Sequence, residues 1–214
     1  MSTQASQLPD SFSDIPIPSF GGYIPEAGSL QGITFWPRVG ARLVDTGAHY
    51  AIRYASGYLF GTMLFVASGG HVPRLIIAKL RHPGLIYFVF ALTGIVAYHV
   101  IFTTVHGSTL GKRLFSMVVV QEDGSPCQLK SAVVRELGYF IDALFFGVIG
   151  YTAMQNTDQQ QRHGDEWAGT VVCKRSRFTP QNLRGESRFV VALLFAFIAD
   201  SALMMTALLL IIAR

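Results

Sequence analysis

Charged residues are scarce in this chain. Asp, Glu, Lys and Arg make up 14% of its 214 residues, half of the residues are hydrophobic, and the mean hydropathy is +0.39. Because soluble domains carry about 25% charged residues, this composition excludes an ordinary soluble domain and predicts an integral membrane protein. The net charge of +4 does not indicate nucleic-acid binding, since the basic residues flank apolar runs, where anionic lipid headgroups lie.

Cysteines and catalytic motifs are equally rare. Cys127 and Cys173 are the two cysteines, and neither lies in a metal-ligand spacing, so we expect no zinc or iron–sulfur site. Two reduced thiols are favoured, with a disulfide as the alternative. The stretch GSTLGKR has three residues between its glycines and Arg after Lys, so it is not a phosphate-binding loop. No constellation of Ser, His or Cys predicts an enzyme.

The first 34 residues lack Lys and Arg altogether and contain no apolar core. Both absences argue against a cleavable signal peptide, which needs a basic start and an apolar centre. Because Pro, Ser and Gly recur through the stretch, residues 1–34 are predicted to form a disordered or extended tail. The first apolar segment is then expected to act as its own insertion signal.

Apolar segments dominate the rest of the chain. A membrane domain is predicted over residues 35–176, with spans at about 43–68, 85–105 and 137–154, followed by a linker (177–187) and a fourth segment (188–214). About 20 apolar residues in a helix cross the hydrocarbon core. The sequence therefore predicts an all-α membrane protein, a small bundle of three to four transmembrane helices.

A short polar region between the apolar segments has its own patterns. LFSMVVVQ and GTVVCKR are rich in β-branched residues, which predicts two strands, and these could pair as a ribbon on one membrane face. LKSAVVREL has the spacing of a short amphipathic helix. We therefore expect a small interfacial region of ribbon and helix.

Counts of Lys and Arg predict the orientation in the membrane. If the third segment enters and leaves by the same face, 12 basic residues lie on one side and 4 on the other. The positive-inside rule favours this re-entrant arrangement, with the basic side and the N-terminus in the cytoplasm of a bacterial inner membrane. Gly147 and Gly150 could supply the bend. The alternative stays open, because the third segment is also long enough to cross once.

Several polar groups that are costly to bury in lipid lie at the start of the first apolar segment. At 100° per residue, Arg38, Arg42, Asp45, His49 and Arg53 fall within about 80° on one helix face. A charged group inside a span is costly unless it faces the bundle interior, water or a partner. This stripe is therefore predicted to face inward.

Arg53 needs a partner at mid-depth. It lies about ten residues, or about 15 Å, into the segment, and Asp200 lies near the centre of the fourth segment. Matching depth and opposite charge predict an Arg53–Asp200 ion pair, with Asp142 as the other candidate partner. Such a pair either holds helices in register or includes a carboxylate that binds a proton or cation during transport.

His99 is the main polar residue of the second segment. A buried imidazole could bind a haem or chlorophyll-type metal, but no paired-histidine pattern supports this. We expect a packed histidine, and no cofactor or metal is otherwise predicted.

Four motifs, in order, resemble one known family. FWPRVGARLVD, GSTLGKRLFSMVVVQEDGSP, SAVVRELGYF and RHGDEWAGTVV cover about residues 33–176 and resemble the successive signatures of the RDD family of membrane proteins. By motif position, Arg38 matches the arginine for which the family is named, and Asp45 and Asp165 match its two aspartates. Two features depart from the pattern: Gly164 separates His163 from Asp165, and the fourth segment lies beyond the family core.

The resemblance implies a charge cluster at the cytoplasmic mouth of the helices, formed by Arg38, Asp45 and Asp165. Such a cluster either binds or gates an ion, or clamps the cytoplasmic loops onto the helix ends. The other residues assigned to this cytoplasmic motif are Gly107, Thr109, Gly111, Lys112, Arg113 and Thr170.

Two functions remain in competition at this stage. The family resemblance implies transport of an unidentified ligand, with cation/proton antiport suggested for some members, and a small transporter of this kind would be a homo-oligomer. The absence of a catalytic motif and the appended fourth segment favour the alternative, a non-catalytic accessory or structural subunit of a larger membrane complex that contacts pigment or lipid.

Overall fold

The computed structural model describes residues 30–71, 84–178 and 185–213. The described chain is mostly helical, with one small two-stranded sheet. Its three long helices are α1 (Phe35–Ala67), α2 (Gly84–Val105) and α7 (Glu186–Ala213). Within the described ranges, α2 and α7 are the two helices long and apolar enough to cross a membrane, each with a mean hydropathy of 2.2.

Shorter elements lie between α2 and α7. In chain order they are α3 (Leu110–Leu114), β1 (Met117–Gln121), α4 (Leu129–Asp142), α5 (Val148–Gln155), α6 (His163–Trp167) and β2 (Thr170–Lys174), with 3-10 turns at Leu144–Gly147 and Arg175–Arg177. β1 and β2 pair in antiparallel fashion, with Val119 opposite Val172. The ribbon predicted from the two β-branched stretches is confirmed.

Each face of this ribbon is buried in a different cluster. Val119 and Val172 pack with Ala41 of α1, Val100 of α2 and Ala132 of α4. The alternate residues of both strands point the other way, as the two-residue period of a strand requires. Because one face rests on three helices, the ribbon fixes the ends of α1, α2 and α4 relative to one another.

The cysteines lie in the two faces of the ribbon core. Cys127 and Cys173 are both buried thiols and not a disulfide pair, in agreement with the favoured prediction. Burial raises the pKa of the Cys173 thiol to about 11, which keeps it protonated at neutral pH.

The last residues of the predicted tail are part of the fold. Leu30 is buried against Val118 and Val171, and the backbone N–H of Ile33 donates to the carbonyl of Val172 at 2.9 Å. Residues 30–33 are therefore held in place by apolar side chains and a strand-edge carbonyl, without helix or strand of their own. Residues 1–29 lie outside the described ranges.

α1 begins earlier than the predicted span. The predicted span is about 43–68, and the helix that contains it starts at Phe35, after the extended residue Thr34. Pro37 is compatible with this start, because backbone N–H groups in the first turn of a helix have no intrahelical acceptor, so the N–H that proline lacks is not needed there. α2 runs from residue 84 to 105, close to the predicted 85–105.

The third apolar segment does not form one straight helix. α4 ends at Asp142, and Phe145 and Phe146 take left-handed φ values of 50° and 59° before Gly147 at 87°. The chain then folds back: a Cβ placed on Gly150 would lie 3.1 Å from the carbonyl oxygen of Asp142. Residues 137–154 therefore contain a helical hairpin, with the bend at Gly147 and close packing at Gly150.

Candidate functional site

The polar stripe of α1 faces the protein interior. Asp45, His49, Arg53 and Ser56 are buried, whereas Tyr54 on the opposite side is 80% exposed. The spacing of these residues, about one helical turn between neighbours, places them in a line along the helix. The predicted inward orientation is confirmed for Asp45, His49 and Arg53, whereas Arg38 and Arg42, nearer the start of the helix, are half-buried.

Midway along α1, the predicted ion pair is present. Nη1 of Arg53 lies 3.0 Å from Oδ1 of Asp200, and Nε2 of His49 lies 3.6 Å from the same oxygen. Arg53 also donates through Nε to the hydroxyl of Tyr87 at 3.3 Å. A Cβ on Gly94 would come within 2.8 Å of Oδ1 of Asp200, so glycine leaves room for the pair between α1, α2 and α7.

Asp142 is not a partner of Arg53. Its carboxylate is buried and lies 3.1 Å from Nδ1 of His163, and it accepts a hydrogen bond from the backbone N–H of Gly164 at 3.2 Å. The second candidate pairing was therefore wrong. The carboxylate stands at the end of α4, where it holds the start of α6.

The second aspartate of the family signature is held by three arginines. Asp165 is fully buried, and its oxygens lie 2.5 Å from Nη1 of Arg38, 2.8 Å from Nη2 of Arg135 and 3.4 Å from Nε of Arg162. Burial alone would raise the pKa of Asp165, but the charges of the three guanidinium groups outweigh it and hold the pKa well below its usual range. This clamp ties α1, α4 and α6 together.

The first aspartate of the signature belongs to a separate network. Asp45 accepts hydrogen bonds from the hydroxyl of Tyr98 at 3.1 Å, the hydroxyl of Thr109 at 2.6 Å and the backbone N–H of Gly111 at 2.7 Å. Arg38 and Asp165 therefore form one cluster and Asp45 another, in contrast to the single cluster that the family resemblance implied. Neutral donors, and not a cation, satisfy the Asp45 carboxylate.

The motif GSTLGKR docks α3 against α1. Thr109 caps α3 by accepting from the backbone N–H of Lys112, and a Cβ on Gly111 would lie 2.0 Å from the carbonyl oxygen of Ala41. Gly107 adopts a φ of 84° at the turn that leads into the motif. The close approach at Gly111 explains the second glycine of the motif.

The remaining motif residues lie on either side of this contact. Arg113 points toward α7, where it forms an ion pair with Glu186 and lies 4.8 Å from the ring centre of Phe189, so it is not near the Asp165 clamp. The hydroxyl of Thr170 donates to the backbone carbonyl of Asp165 at 3.3 Å. Thr170 therefore holds the end of α6.

Sequence reasoning missed several members of these networks. Glu136 was not predicted, and it pairs at 2.6 Å with Arg42, a predicted buried-pair residue that also lies 3.8 Å above the ring of Tyr139. Arg135 and Tyr98 were not expected as partners of Asp165 and Asp45. The motif SAVVRELGYF did carry a signal, because adjacent Arg and Glu in an otherwise apolar amphipathic helix need partners when that helix is buried.

A cavity of about 290 Å³ lies between α1, α2, α3 and α4. Its wall includes Arg38 and Arg42 of the stripe, His99 of α2, Lys112 of α3 and Arg135 of α4. Burial, and then the charge of Arg135, lowers the pKa of Lys112 to about 7. The ring of His99 lies edge-on to that of Tyr98, with 5.1 Å between the ring centres. A packed His99 without a haem or pigment stays the prediction.

The fold points to a helical membrane protein, with two apolar helices of membrane-spanning length and charged side chains that join the helix ends to a small two-stranded ribbon. The model of the RDD family matches residues 33–169, and the chain belongs to that family. The match includes α1 to α6 and both aspartates of the signature, and it ends before α7. No curated protein and no solved structure matches the chain.

Proposed function

We propose that this RDD-family protein transports a small ion or solute and that the cavity between α1, α2, α3 and α4 is its binding site. The observation that carries the proposal is a continuous line of buried and half-buried polar groups on α1 that starts at the cavity. From Arg38 to Ser56 this line is about 27 Å long at 1.5 Å per residue, close to the thickness of about 30 Å of a hydrocarbon core.

Polar contacts continue the line to its far end. Beyond the Arg53–Asp200 pair, the hydroxyl of Ser201 donates to that of Ser56 at 3.1 Å. Ionisable groups within membrane segments typically mark transport pathways, because their burial in lipid is costly. In this proposal the solute enters at the cavity and the buried pair lies on its route.

The proposal includes a topology and an assembly. α1, α2 and α7 cross the membrane, and the hairpin of α4 and α5 enters and leaves by the cytoplasmic face of a bacterial inner membrane, where the ribbon lies. The pairing of β1 with β2 supports this, since it brings the two ends of the hairpin region together. Three crossing helices enclose little pathway, so we expect a homo-oligomer without enzymatic activity.

Flux through reconstituted protein tests the proposal. Liposomes with the native protein should show flux of Na⁺, K⁺, H⁺ or a small amphiphilic solute above that of empty liposomes, and an Asp200→Asn variant should lose most of it. A Glu166→Gln variant is the control, because Glu166 is exposed on α6. Equal rates for native, empty and Asp200→Asn liposomes would reject transport.

The second candidate is a non-catalytic accessory subunit of a larger membrane complex. Its specific support is that Asp45, Asp142 and Asp165 are already bound by groups of the protein itself, as expected of structural clamps. Native mass analysis after gentle detergent extraction tests this candidate. A stable complex with other proteins would favour it, and a homo-oligomer alone would count against it.

A further inference from the structure

The cavity joins a buried, charged wall to an exposed, apolar edge. His99 and Arg135 on the inner wall are 1% and 2% exposed, whereas Leu43 and Phe146 at the edge are 70% and 104% exposed. The volume of about 290 Å³ corresponds to roughly ten water molecules at about 30 Å³ each. It has room for a head group and a few carbons, and a longer chain would have to leave past the apolar edge.

Hydrogen-bond donors on the inner wall have no partner in the described ranges. Nη1 of Arg135 and both ring nitrogens of His99, one of which is a donor in the neutral imidazole, are buried without a hydrogen-bond partner there. The ammonium group of Lys112, on the same wall, forms no ion pair with a described carboxylate. Because buried donors without acceptors are costly, this wall is suited to a ligand that brings acceptor oxygens.

The charges around the cavity also favour an anion. Five basic groups line it, Arg38, Arg42, Lys112, Arg135 and Arg162, against four carboxylates, those of Asp45, Glu136 and Asp142 on its wall and Asp165 behind three of the arginines, so one positive charge is in excess. Asp45 and Asp142 also line the cavity, but neutral donors and His163 satisfy them. The charged groups facing Lys112 are Arg135 and Glu136 of α4, Asp45 of α1 and Arg162 before α6.

We infer that the cavity binds an oxyanion attached to an apolar chain, with the carboxylate or phosphate oxygens at Lys112, Arg135 and His99 and the chain lying along Leu43 and Phe146. The inference rests on the proposed function, since it names the ligand class of the same site. A soluble single-chain amphiphile and an anionic lipid headgroup share this chemistry.

Other ligand classes fit the wall less well. A cation would meet Lys112 and Arg135 while every described carboxylate around the cavity already has partners. A free inorganic anion would satisfy the donors but leave the apolar edge at Leu43 and Phe146 uncovered. An amphiphilic anion satisfies both parts of the cavity.

Ligand-induced stabilisation of the purified full-length protein in a neutral maltoside detergent tests the inference. Octanoate and hexyl phosphate should each raise the apparent Tm by about 5–10 °C at 100 times their Kd. Inorganic phosphate, hexanol and hexyltrimethylammonium, at the same concentrations, should shift it by much less. A Tm shift from the cationic amphiphile or from inorganic phosphate that equals that of hexyl phosphate would overturn the inference.

Variants at Lys112 locate the site. Lys112→Met should weaken octanoate binding at least tenfold, and Lys112→Arg should restore most of it because the positive charge is kept. Lys130→Met is the matched control, since Lys130 is exposed near the start of α4. Unchanged binding by Lys112→Met would overturn the assignment. If that variant does not fold, the ligand series on the native protein and on Lys112→Arg still decides.

Two further arms separate the sources and the proposals. If the ligand is a lipid headgroup, native mass spectrometry of protein released from mixed vesicles should show bound phosphatidylglycerol in preference to phosphatidylcholine. Bound phosphatidylglycerol together with no binding of octanoate or hexyl phosphate would identify the lipid as the ligand. Absence of both kinds of binding overturns the inference. Binding of the anion without any flux would reject transport and support the ligand class. Flux of a cation without anion binding would support transport and reject the ligand class.

Discussion

An Asp165→Asn substitution should cost the protein about 3–5 kcal/mol of stability, the range found when one partner of a buried ion pair is removed. The carboxylate is fully buried within 2.5, 2.8 and 3.4 Å of guanidinium nitrogens from Arg38, Arg135 and Arg162. The asparagine amide has nearly the same shape, so the change creates no cavity. It removes the one negative charge that three buried or half-buried cations share.

The expected loss is large enough to measure by thermal unfolding in detergent. For a chain of 150–250 residues, each kcal/mol shifts Tm by about 2–4 °C, so Asp165→Asn should lower the apparent Tm by about 6–20 °C. Glu166→Gln serves as the control, because it removes the neighbouring carboxylate of the same helix, which is exposed. If the two variants unfold within 2 °C of each other, the clamp does not stabilise the protein as argued.

The same variant makes a prediction about pH. The pKa of Asp165 is held well below its usual range in the folded protein, so its stabilising effect is complete above the unfolded pKa of about 4 and declines as pH falls below it. The difference in Tm between native protein and Asp165→Asn should therefore be constant from pH 5 to 8 and shrink below pH 4. A difference that already disappears at pH 6 would show that this pKa is not depressed.

Three other perturbations test separate parts of the structure. Arg53→Leu should destabilise the protein by about 3–5 kcal/mol, because it leaves the buried carboxylate of Asp200 without its ion-pair partner. The double variant Arg53→Leu/Asp200→Leu should recover most of that loss, and a Tm as low as that of the single variant would contradict this. Gly111→Ala should lower Tm, because its Cβ would lie 2.0 Å from a carbonyl oxygen of α1, whereas Gly47→Ala, with no atom within 4 Å of the added Cβ, should be neutral or raise it. Since the pKa of Lys112 is about 7, Lys112 loses its charge above pH 7, and octanoate affinity should fall by up to about tenfold per pH unit there. A Lys112→Arg variant stays charged, so the same decline in that variant would show that Lys112 does not cause it.

The sequence alone allowed the inward face of α1 and the Arg53–Asp200 pair to be predicted. Helical geometry places residues 45, 49 and 53 on one face, and the cost of an unpaired charge in a membrane requires a partner at similar depth. Both arguments depend on local spacing or on a single strong energy term. They did not depend on how the loops fold.

The partners of the family aspartates were not predictable in this way. The contact between Asp45 and Tyr98 joins residues 53 positions apart, and that between Arg38 and Asp165 joins residues 127 positions apart. Several arginines could reach either carboxylate, so spacing alone could not choose among them. The bend at Phe145 and Phe146 was also hidden, because left-handed backbone is unfavourable for such residues and the sequence suggested only the neighbouring glycines.

The charged groups around the cavity differ in whether the protein itself supplies their partners. Asp45 and Asp165 have their acceptor oxygens filled by the protein, so binding a cation at either would require breaking the contacts that hold α3 or α6 in place. A ligand that uses the unsatisfied donors at Lys112 and Arg135 requires no such break. In the proposed site, Asp45 is part of the cavity wall and Asp165 holds three arginines of that wall in place, while Lys112 and Arg135 bind the ligand.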